Sequence, residues 1–125
     1  MSSRRAARRT ALFLLYQWDV TGQPLETLYE GEVDPFAHEL AEAVAAHAPE
    51  LDTAITAAAE GWTADRLGAV ERTIVRIGVH ELDGDEVPDE VAIDEAVTLA
   101  KRYATEDAAR LVNGILGRIQ REEAA

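Results

Sequence analysis

Apolar residues recur along the chain at helical spacing, and β-type alternation is almost absent. For example, Phe36, Leu40 and Val44 follow one another at intervals of four, which places them on one face of a helix. Similar stripes cover residues 3–20, 49–60, about 63–82, 88–103 and 106 onward, and a short segment covers 25–29. The pattern predicts an all-α protein, a compact bundle of about six to seven helices.

Capping residues and helix breakers mark the predicted ends of these segments. Asp34 followed by Pro35 is typical of an N-cap with proline in the first helical turn. Thr105 is the expected N-cap of the last helix, and Gly84 is the expected C-cap of the helix before residue 88. Gly114 interrupts the last helix, and we expect a close approach of another helix there.

The length and composition indicate one globular domain. A chain of 125 residues is long enough to bury one sizeable core, so we predict a single domain over residues 1–125. It has no cysteine, which excludes disulfide scaffolds and thiolate metal sites. The longest strongly apolar run spans residues 11–16, whereas a transmembrane helix needs about 20 residues. We predict a cytoplasmic, soluble protein.

Charge is distributed unevenly along the sequence. The net charge is −12, which by itself disfavours nucleic acid as a partner. Residues 1–18 nevertheless contain four arginines and no acid, and the acidic excess lies entirely in the other 107 residues. The sequence therefore predicts a basic arm, residues 1–10, on an acidic body. Arginine suits phosphate because its planar guanidinium offers several donors and stays charged.

The four arginines share one stripe of the first helix. At about 100° per residue, Arg4, Arg5, Arg8 and Arg9 fall within about 140°. Leucines and Tyr16 continue the same arc, so the stripe changes from cationic to apolar after two turns. We expect the apolar part to dock on the body and the first two turns to project beyond it. We also expect those turns to be frayed until they meet phosphate.

Motifs for catalysis or metal binding are absent from the sequence. It has no phosphate-binding glycine loop, no GxGxxG and no HExxH. His38, His47 and His80 have no ligand spacing, and His38 with Glu42 would give a metal only two ligands. We therefore predict no enzyme, no cofactor and no metal. Arg76 interrupts an apolar run, which favours a paired, buried guanidinium.

Several long stretches together resemble one known family. They are ARRTALFLLYQW (7–18), WTADRLGAVERTIVRIGVHEL (62–82), VPDEVAIDEAVTLAKRY (87–103) and LVNGIL (111–116). In this order and spacing they resemble the bacterial transcription antitermination factors of the NusB family. The resemblance implies an all-helical protein made of two three-helix halves.

The resemblance also implies a function. Members of the family bind the boxA element of ribosomal RNA leader transcripts through an arginine-rich N-terminal helix. They form a heterodimer with NusE, a ribosomal small-subunit protein, and join other Nus factors on RNA polymerase to suppress premature termination. Homodimers also occur in the family.

The resemblance also implies roles for individual residues. The resemblance assigns the basic arm to RNA, places Asp107 and Leu111 beside the RNA, and puts Tyr16 and Glu71 on the NusE face. Leu111 stands where an aromatic residue is common, so one base-stacking contact of the family is lost. Lys101 and Arg102 are candidates from their position next to Tyr103 and the last helix. The RNA-binding candidates are Arg4, Arg5, Arg8, Arg9, Lys101, Arg102, Asp107 and Leu111, and the partner-binding candidates are Tyr16 and Glu71.

Two other functions fit the same pattern. One is a protein-binding helical adaptor without RNA specificity, in which the arginines only aid solubility. The other is a detached RNA-binding module, similar to the N-terminal domain of certain ribosomal RNA cytosine methyltransferases.

Overall fold

The computed structural model describes residues 3–61 and 63–124, and within them it contains helices and no strand. Met1, Ser2, Trp62 and Ala125 lie outside the described residues. They include the first two positions of the predicted arm and the tryptophan that begins the second family-like stretch. The helices are α1 Arg4–Thr21, α2 Pro35–Ala46, α3 Ala48–Ala58, α4 Ala69–Asp83, α5 Asp89–Tyr103 and α6 Glu106–Ala124, with short 3-10 turns at Leu25–Thr27 and Ala64–Arg66.

Side-chain caps fix three of the helix starts. The hydroxyl of Ser3 accepts a hydrogen bond from the Ala6 N–H at 3.0 Å, so α1 is helical from Arg4. The Asp34 carboxylate accepts from the Phe36 N–H at 2.9 Å at the start of α2. Thr105 accepts from the N–H of residue 108 at 2.9 Å at the start of α6. The caps predicted at positions 34 and 105 are confirmed, and α1 is not frayed in this structure.

Two predicted boundaries differ from the structure. The segment from position 63 does not run straight into α4, because Leu67 is extended and buried and Gly68 is the N-cap. Gly84 does follow α4, but its φ of −89° and ψ of 167° are extended instead of left-handed. The sequence therefore predicts the position of Gly84 after α4 correctly, but not its backbone conformation.

Helix α4 lies at the centre of the bundle. Every residue from 73 to 79 is buried, and α4 packs against all five other helices. Helices α1, α2 and α3 precede it, and α5 and α6 pair closely after it. The predicted all-α bundle is confirmed. Its largest fully buried side chains come from both parts of the chain: Leu12, Leu15, Val44, Ile55, Ile74, Val75, Ile77, Val79, Val112 and Leu116.

An internal ion network ties α1 and α3 to α4. Arg76 donates from Nε and Nη2 to the two carboxylate oxygens of Asp52, both at 2.7 Å, and from Nη1 to Asp19 at 3.2 Å. Arg72 donates to Asp19 at 2.5 Å and to the carbonyl oxygen of Leu67 at 2.9 Å. The prediction that Arg76 is a paired, buried guanidinium is confirmed. The network is structural, since its charges neutralise one another inside the fold.

These contacts shift the pKa of the groups involved. Burial raises the pKa of Asp19, but the hydrogen bonds and positive charges of Arg72 and Arg76 outweigh burial and hold that pKa below its ordinary value. Burial likewise opposes the charged form of Arg76, yet Asp52 and Asp19 raise its pKa. Asp19 and Arg76 are therefore charged at neutral pH.

The close helix contact lies at a different glycine from the predicted one. A Cβ added to Gly78 would meet Leu116 Cδ1 at 2.6 Å, so α4 and α6 approach each other at Gly78. A Cβ added to Gly114 would meet nothing within 4 Å, and Gly114 is exposed. The expectation of a close approach at Gly114 is therefore wrong, because that side of α6 faces away from the other helices.

Candidate nucleic-acid interface

Helix α1 has a buried face and an exposed face. The buried face begins in the second turn and comprises Ala7, Arg8, Ala11, Leu12, Leu14 and Leu15. The exposed face spans about 80° of the helix and comprises Arg5, Arg9, Phe13, Tyr16 and Val20, of which Arg9 is half-buried. The expectation that the first two turns project beyond the body is wrong, because residues 7 and 8 already pack into it.

Arg8 lies in the protein interior, not on the basic surface. Its side chain is 5% exposed and that of Glu81 is 4% exposed. Arg8 donates from Nε to Oε1 of Glu81 at 2.9 Å and from Nη2 to Oε2 at 2.8 Å, which is a two-pronged contact between α1 and α4. Arg8 is therefore not available to a phosphate in this structure. Its inclusion among the RNA-binding residues needs correction for this reason.

Glu81 also explains why Arg8 stays charged. Burial by itself lowers the pKa of Arg8, but the hydrogen bond and negative charge of Glu81 outweigh that effect and raise the pKa above its ordinary value. A buried guanidinium with two matched acceptors fixes the position of α1 on α4. Arg8 thus positions the N-terminal turns that carry the other three arginines.

The first two arginines lie at the surface and have partners. The guanidinium of Arg4 lies 4.4 Å from the centre of the Phe36 ring, a cation–π contact with α2. Arg5 donates to the carboxylate of Glu95 on α5 at 3.2 Å, and its own side chain remains mostly exposed. Both side chains can exchange these exposed contacts for a phosphate at small cost, since exposed ion pairs contribute little.

Three further cations on α1 and α5 are candidates for contact with RNA: Arg9, Lys101 and Arg102. Arg9 follows Arg5 by one turn, and within the described residues it makes no ion pair or hydrogen bond. Lys101 is exposed and equally unpaired in the described part of the chain. Arg102 is exposed, and its guanidinium lies 5.3 Å from the centre of the Tyr103 ring. These groups keep most of their donors free for a ligand.

Two contacts join α1 to α5, one near the middle of α5 and one at its last residue. Arg5 pairs with Glu95, and eight residues later on both helices Phe13 meets Tyr103. The two rings lie edge to face, with centres 5.2 Å apart and planes at 86°. Since both contacts join residues 90 apart, α1 and α5 point in the same direction here. The structure thus places Arg5 beside Glu95, and Phe13 beside Tyr103 with the Arg102 guanidinium over the Tyr103 ring.

The start of α6 follows directly on this surface through a two-residue connection. Asp107 is exposed and forms an ion pair with Arg110 one turn along. Leu111 is half-buried and packs against the core. Asp107 is accessible to a ligand, whereas Leu111 offers only part of its side chain. No described contact joins either residue to α1.

The two predicted partner-binding residues lie on helices that pack against each other. Tyr16 is 38% exposed on the exposed face of α1, one turn from Val20. Glu71 lies in the first turn of α4, half-buried, with its carboxylate folded over Gly68. Helices α1 and α4 pack against each other, so Tyr16 and Glu71 lie on neighbouring helices.

Grooves elsewhere among the described residues have acidic side chains in their lining. A groove of about 530 Å³ passes Glu81 between α2 and the end of α4, and its lining includes Glu39, Asp85 and Glu86, which repel phosphate. His38 lies 3.8 Å from Glu42, and both are about half exposed. Across residues 3–61 and 63–124 no group of three or more acids or histidines is arranged to hold a metal ion. No helix in that part of the chain has the length and apolarity needed to cross a membrane.

Sequence analysis missed three residues of this region. Glu81 and Glu95 are single acids in an acid-rich chain, and nothing local identifies their arginine partners 73 and 90 positions away. Phe13 belongs to the apolar run of α1, which suggests a buried residue. Its angle on the helix, about 40° beyond Arg9, nevertheless places it on the exposed side. That angle is the one signal in the sequence that indicates its exposure.

Comparisons with known proteins agree on one family. A family model described as the NusB family matches residues 5–121. The transcription antitermination protein NusB of Solibacter usitatus is 40% identical, over 98% of this chain and 91% of that protein. A T. maritima NusB structure matches with a TM-score of 0.85 at 32% identity, over 97% of this chain and 92% of the other. A crystal structure of NusB and NusE in complex with double-stranded RNA contains a chain that matches with a TM-score of 0.78 at 32% identity, over 95% and 96%.

Proposed function

The chain belongs to the NusB family of transcription antitermination proteins, and from that premise we propose that it binds boxA RNA of ribosomal RNA leader transcripts together with NusE. Proteins of this family are RNA-binding transcription factors and not enzymes, so the prediction of a non-enzymatic protein is confirmed. The proposal extends to assembly with other Nus factors on RNA polymerase in the cytoplasm.

The observation that carries the RNA proposal is the cationic surface where α1 meets the end of α5. The whole chain has a net charge of −12, yet Arg9 and Arg102 lie beside the Phe13–Tyr103 contact without ion-pair partners among the described residues. Arg5 is already held beside α5 by Glu95. Unpaired cations held by rigid helices suit a phosphate backbone, because binding replaces condensed counter-ions instead of breaking internal contacts.

The structure changes the set of residues expected to contact RNA. Arg4, Arg5 and Arg9 of α1 act with Lys101 and Arg102 of α5, while Arg8 acts through its ion pair by positioning α1. If each of the five cations engages one phosphate of single-stranded RNA, log K falls with log salt at a slope of about −3.5.

The start of α6 offers groups that suit the bases of an RNA instead of its phosphates. The Asp107 carboxylate accepts hydrogen bonds, and so it suits an exocyclic amine at a base edge. Leu111 offers a small apolar contact beside it.

NusE is the protein partner we propose for the face around Tyr16 and Glu71. Tyr16 and Val20 form an exposed apolar patch on α1, which is unusual for a surface helix and suits a protein interface. Glu71 supplies a carboxylate nearby for a basic partner. A homodimer of this chain would bury either this face or the face proposed for RNA.

Fluorescence anisotropy tests the proposal. A labelled boxA-type RNA and a scrambled RNA are titrated with the full chain, with and without NusE of the same source, at two salt concentrations. We expect the boxA-type RNA to bind more tightly, and NusE to increase the difference. Arg9→Ala and Lys101→Ala should each weaken binding and reduce the salt slope by about 0.7.

Arg118→Ala is the matched control, because it also removes one positive charge. Arg118 lies on α6, about 18 Å along the helix axis from Glu106, and pairs with Glu60 and Glu122. It should leave the RNA affinity nearly unchanged. Equal binding of both RNAs in the presence of NusE would instead favour the adaptor without RNA specificity.

A further inference from the structure

Phe13 and Tyr103 form an aromatic pair at the surface, where α1 meets α5. Phe13 is 48% exposed, although it lies only one turn from Arg9, and its ring meets the Tyr103 ring edge to face at 5.2 Å. This pair packs against no other described ring. We infer that Phe13, supported by Tyr103, is a stacking platform for one unpaired nucleobase of the bound RNA. The inference rests on the proposed function.

The position of the pair within the cationic surface is the first argument. Along the exposed face of α1, Arg5 and Arg9 precede Phe13 at intervals of one turn. On α5, the guanidinium of Arg102 lies over the Tyr103 ring, whereas Lys101 lies about 160° away from Tyr103 around the helix. Cations thus approach the aromatic pair from both helices. Phe13 also borders a groove lined by Glu30 and Glu32, which repel phosphate, so a backbone held by the cations stays on their side of the ring and its bases come within reach of it.

The chemistry of the rings is the second argument. The guanidinium of Arg102 lies over Tyr103 at 5.3 Å, so the platform already contains the aromatic and guanidinium surfaces on which bases stack. Tyr103 is half-buried and holds the Phe13 ring from the side, which limits its rotation. A platform whose rotamer is fixed before binding loses less conformational entropy when a base stacks on it.

The same features disfavour an apolar protein side chain as the occupant. Covering Phe13 with protein would remove water from Arg9 and Arg102, and neither has an ion-pair partner among the described residues. A nucleobase brings its own phosphate to these cations. The apolar patch of Tyr16 and Val20, further along α1, has no basic neighbour on the helix and suits the protein partner better.

Two substitutions at Phe13 test the platform in the full chain. Phe13→Leu keeps an apolar side chain of similar length but removes the ring, and Phe13→Trp keeps a stacking surface. With a boxA-type single-stranded RNA, we expect Phe13→Leu to weaken binding about 5- to 150-fold, and Phe13→Trp to restore it. The salt slope should stay unchanged in Phe13→Leu, because stacking releases no counter-ion, whereas Arg9→Ala lowers the slope.

A spectroscopic measurement locates the base. The same RNA is prepared with 2-aminopurine at successive positions, and stacking on an aromatic ring quenches its fluorescence. We expect one position to be quenched by the wild-type chain and by Phe13→Trp, but not by Phe13→Leu. Val91→Ala is the matched control, because it also trims an exposed apolar side chain, and it should leave both the quenching and the RNA affinity unchanged. Thermal melting checks that every variant is folded.

Each outcome supports or overturns the inference. If the wild-type chain binds RNA and Phe13→Leu binds it equally well, the platform is refuted while the proposed function stands. If Phe13→Leu weakens binding of NusE in the absence of RNA and leaves RNA binding intact, Phe13 is a protein contact and the inference is overturned. If the wild-type chain binds no RNA with NusE present, the proposed function itself fails.

Discussion

Replacing Glu81 by alanine leaves the guanidinium of Arg8 buried without its counter-ion. Both side chains are almost inaccessible, and the contact between them has two short donor–acceptor distances, 2.9 and 2.8 Å. Alanine offers the guanidinium no acceptor, and Arg8 itself has little contact with water. The cost is therefore that of an unpaired buried charge and not only that of a lost surface contact.

The expected loss is large compared with the stability of a domain of this size. Removing one partner of a buried ion pair costs about 3–5 kcal/mol, and small domains are stable by only about 5–15 kcal/mol. With an unfolding entropy of about 2.1 cal/mol/K per residue over 125 residues, the loss lowers Tm by about 11–19 °C. Urea denaturation followed by far-UV circular dichroism gives the free energy of unfolding directly.

A double substitution separates the stranded charge from other effects. Arg8→Met combined with Glu81→Leu removes both charges and fills similar volumes, and we expect it to lie within about 2 kcal/mol of the wild type. The coupling in this double-mutant cycle should be clearly favourable. The double variant should also keep the salt slope of RNA binding, because Arg8 contacts no phosphate. A loss below about 1 kcal/mol in Glu81→Ala, or a double variant as unstable as the two losses added, would refute the reasoning.

Three further predictions use the same denaturation assay. Gly78→Ala should destabilise the protein by about 1 kcal/mol net, since contact with the buried Leu116 side chain outweighs the gain in helix propensity; stability at or above the wild type would contradict this. Gly114→Ala should stabilise by up to about 1 kcal/mol, because its side is open; a loss would show that the site is not free. Asp19→Asn should destabilise at pH 7, and the difference from wild type should shrink as the pH falls below about 4. The folded-state pKa of Asp19 is held down by Arg72, so its contribution is complete above the unfolded pKa and is lost as pH falls through the folded one. A difference that is constant with pH would contradict the ion pair.

Local signals in the sequence predicted the helices well. Asp34 before a proline and Thr105 before an acidic turn are caps whose partners lie two or three residues away, so short-range chemistry determines them. The start of α4 was predicted poorly for the opposite reason. Leu67 is extended there because it is buried against other parts of the chain, which no local pattern encodes.

The basic surface was predicted in kind but not in detail. Helical angles put Arg8 on the stripe shared by the four arginines, yet the same angles place it between Leu12 and Leu15, in the middle of the apolar arc. Burial was therefore readable from the sequence. The identity of its partner was not, because Glu81 is 73 positions away and many other acids have the same local surroundings.

The alignment of α1 with α5 has a consequence for how the protein becomes active during its synthesis. The contacts of Arg5 with Glu95 and of Phe13 with Tyr103 each close a loop of 90 residues. At about 5–20 residues per second, a ribosome makes the second member of each pair roughly 5–18 s after the first. Until then α1 has no neighbour to hold its arginines beside Tyr103. The surface proposed for RNA is thus completed late, and a nascent or truncated chain that ends before α5 has only the part of it that α1 supplies.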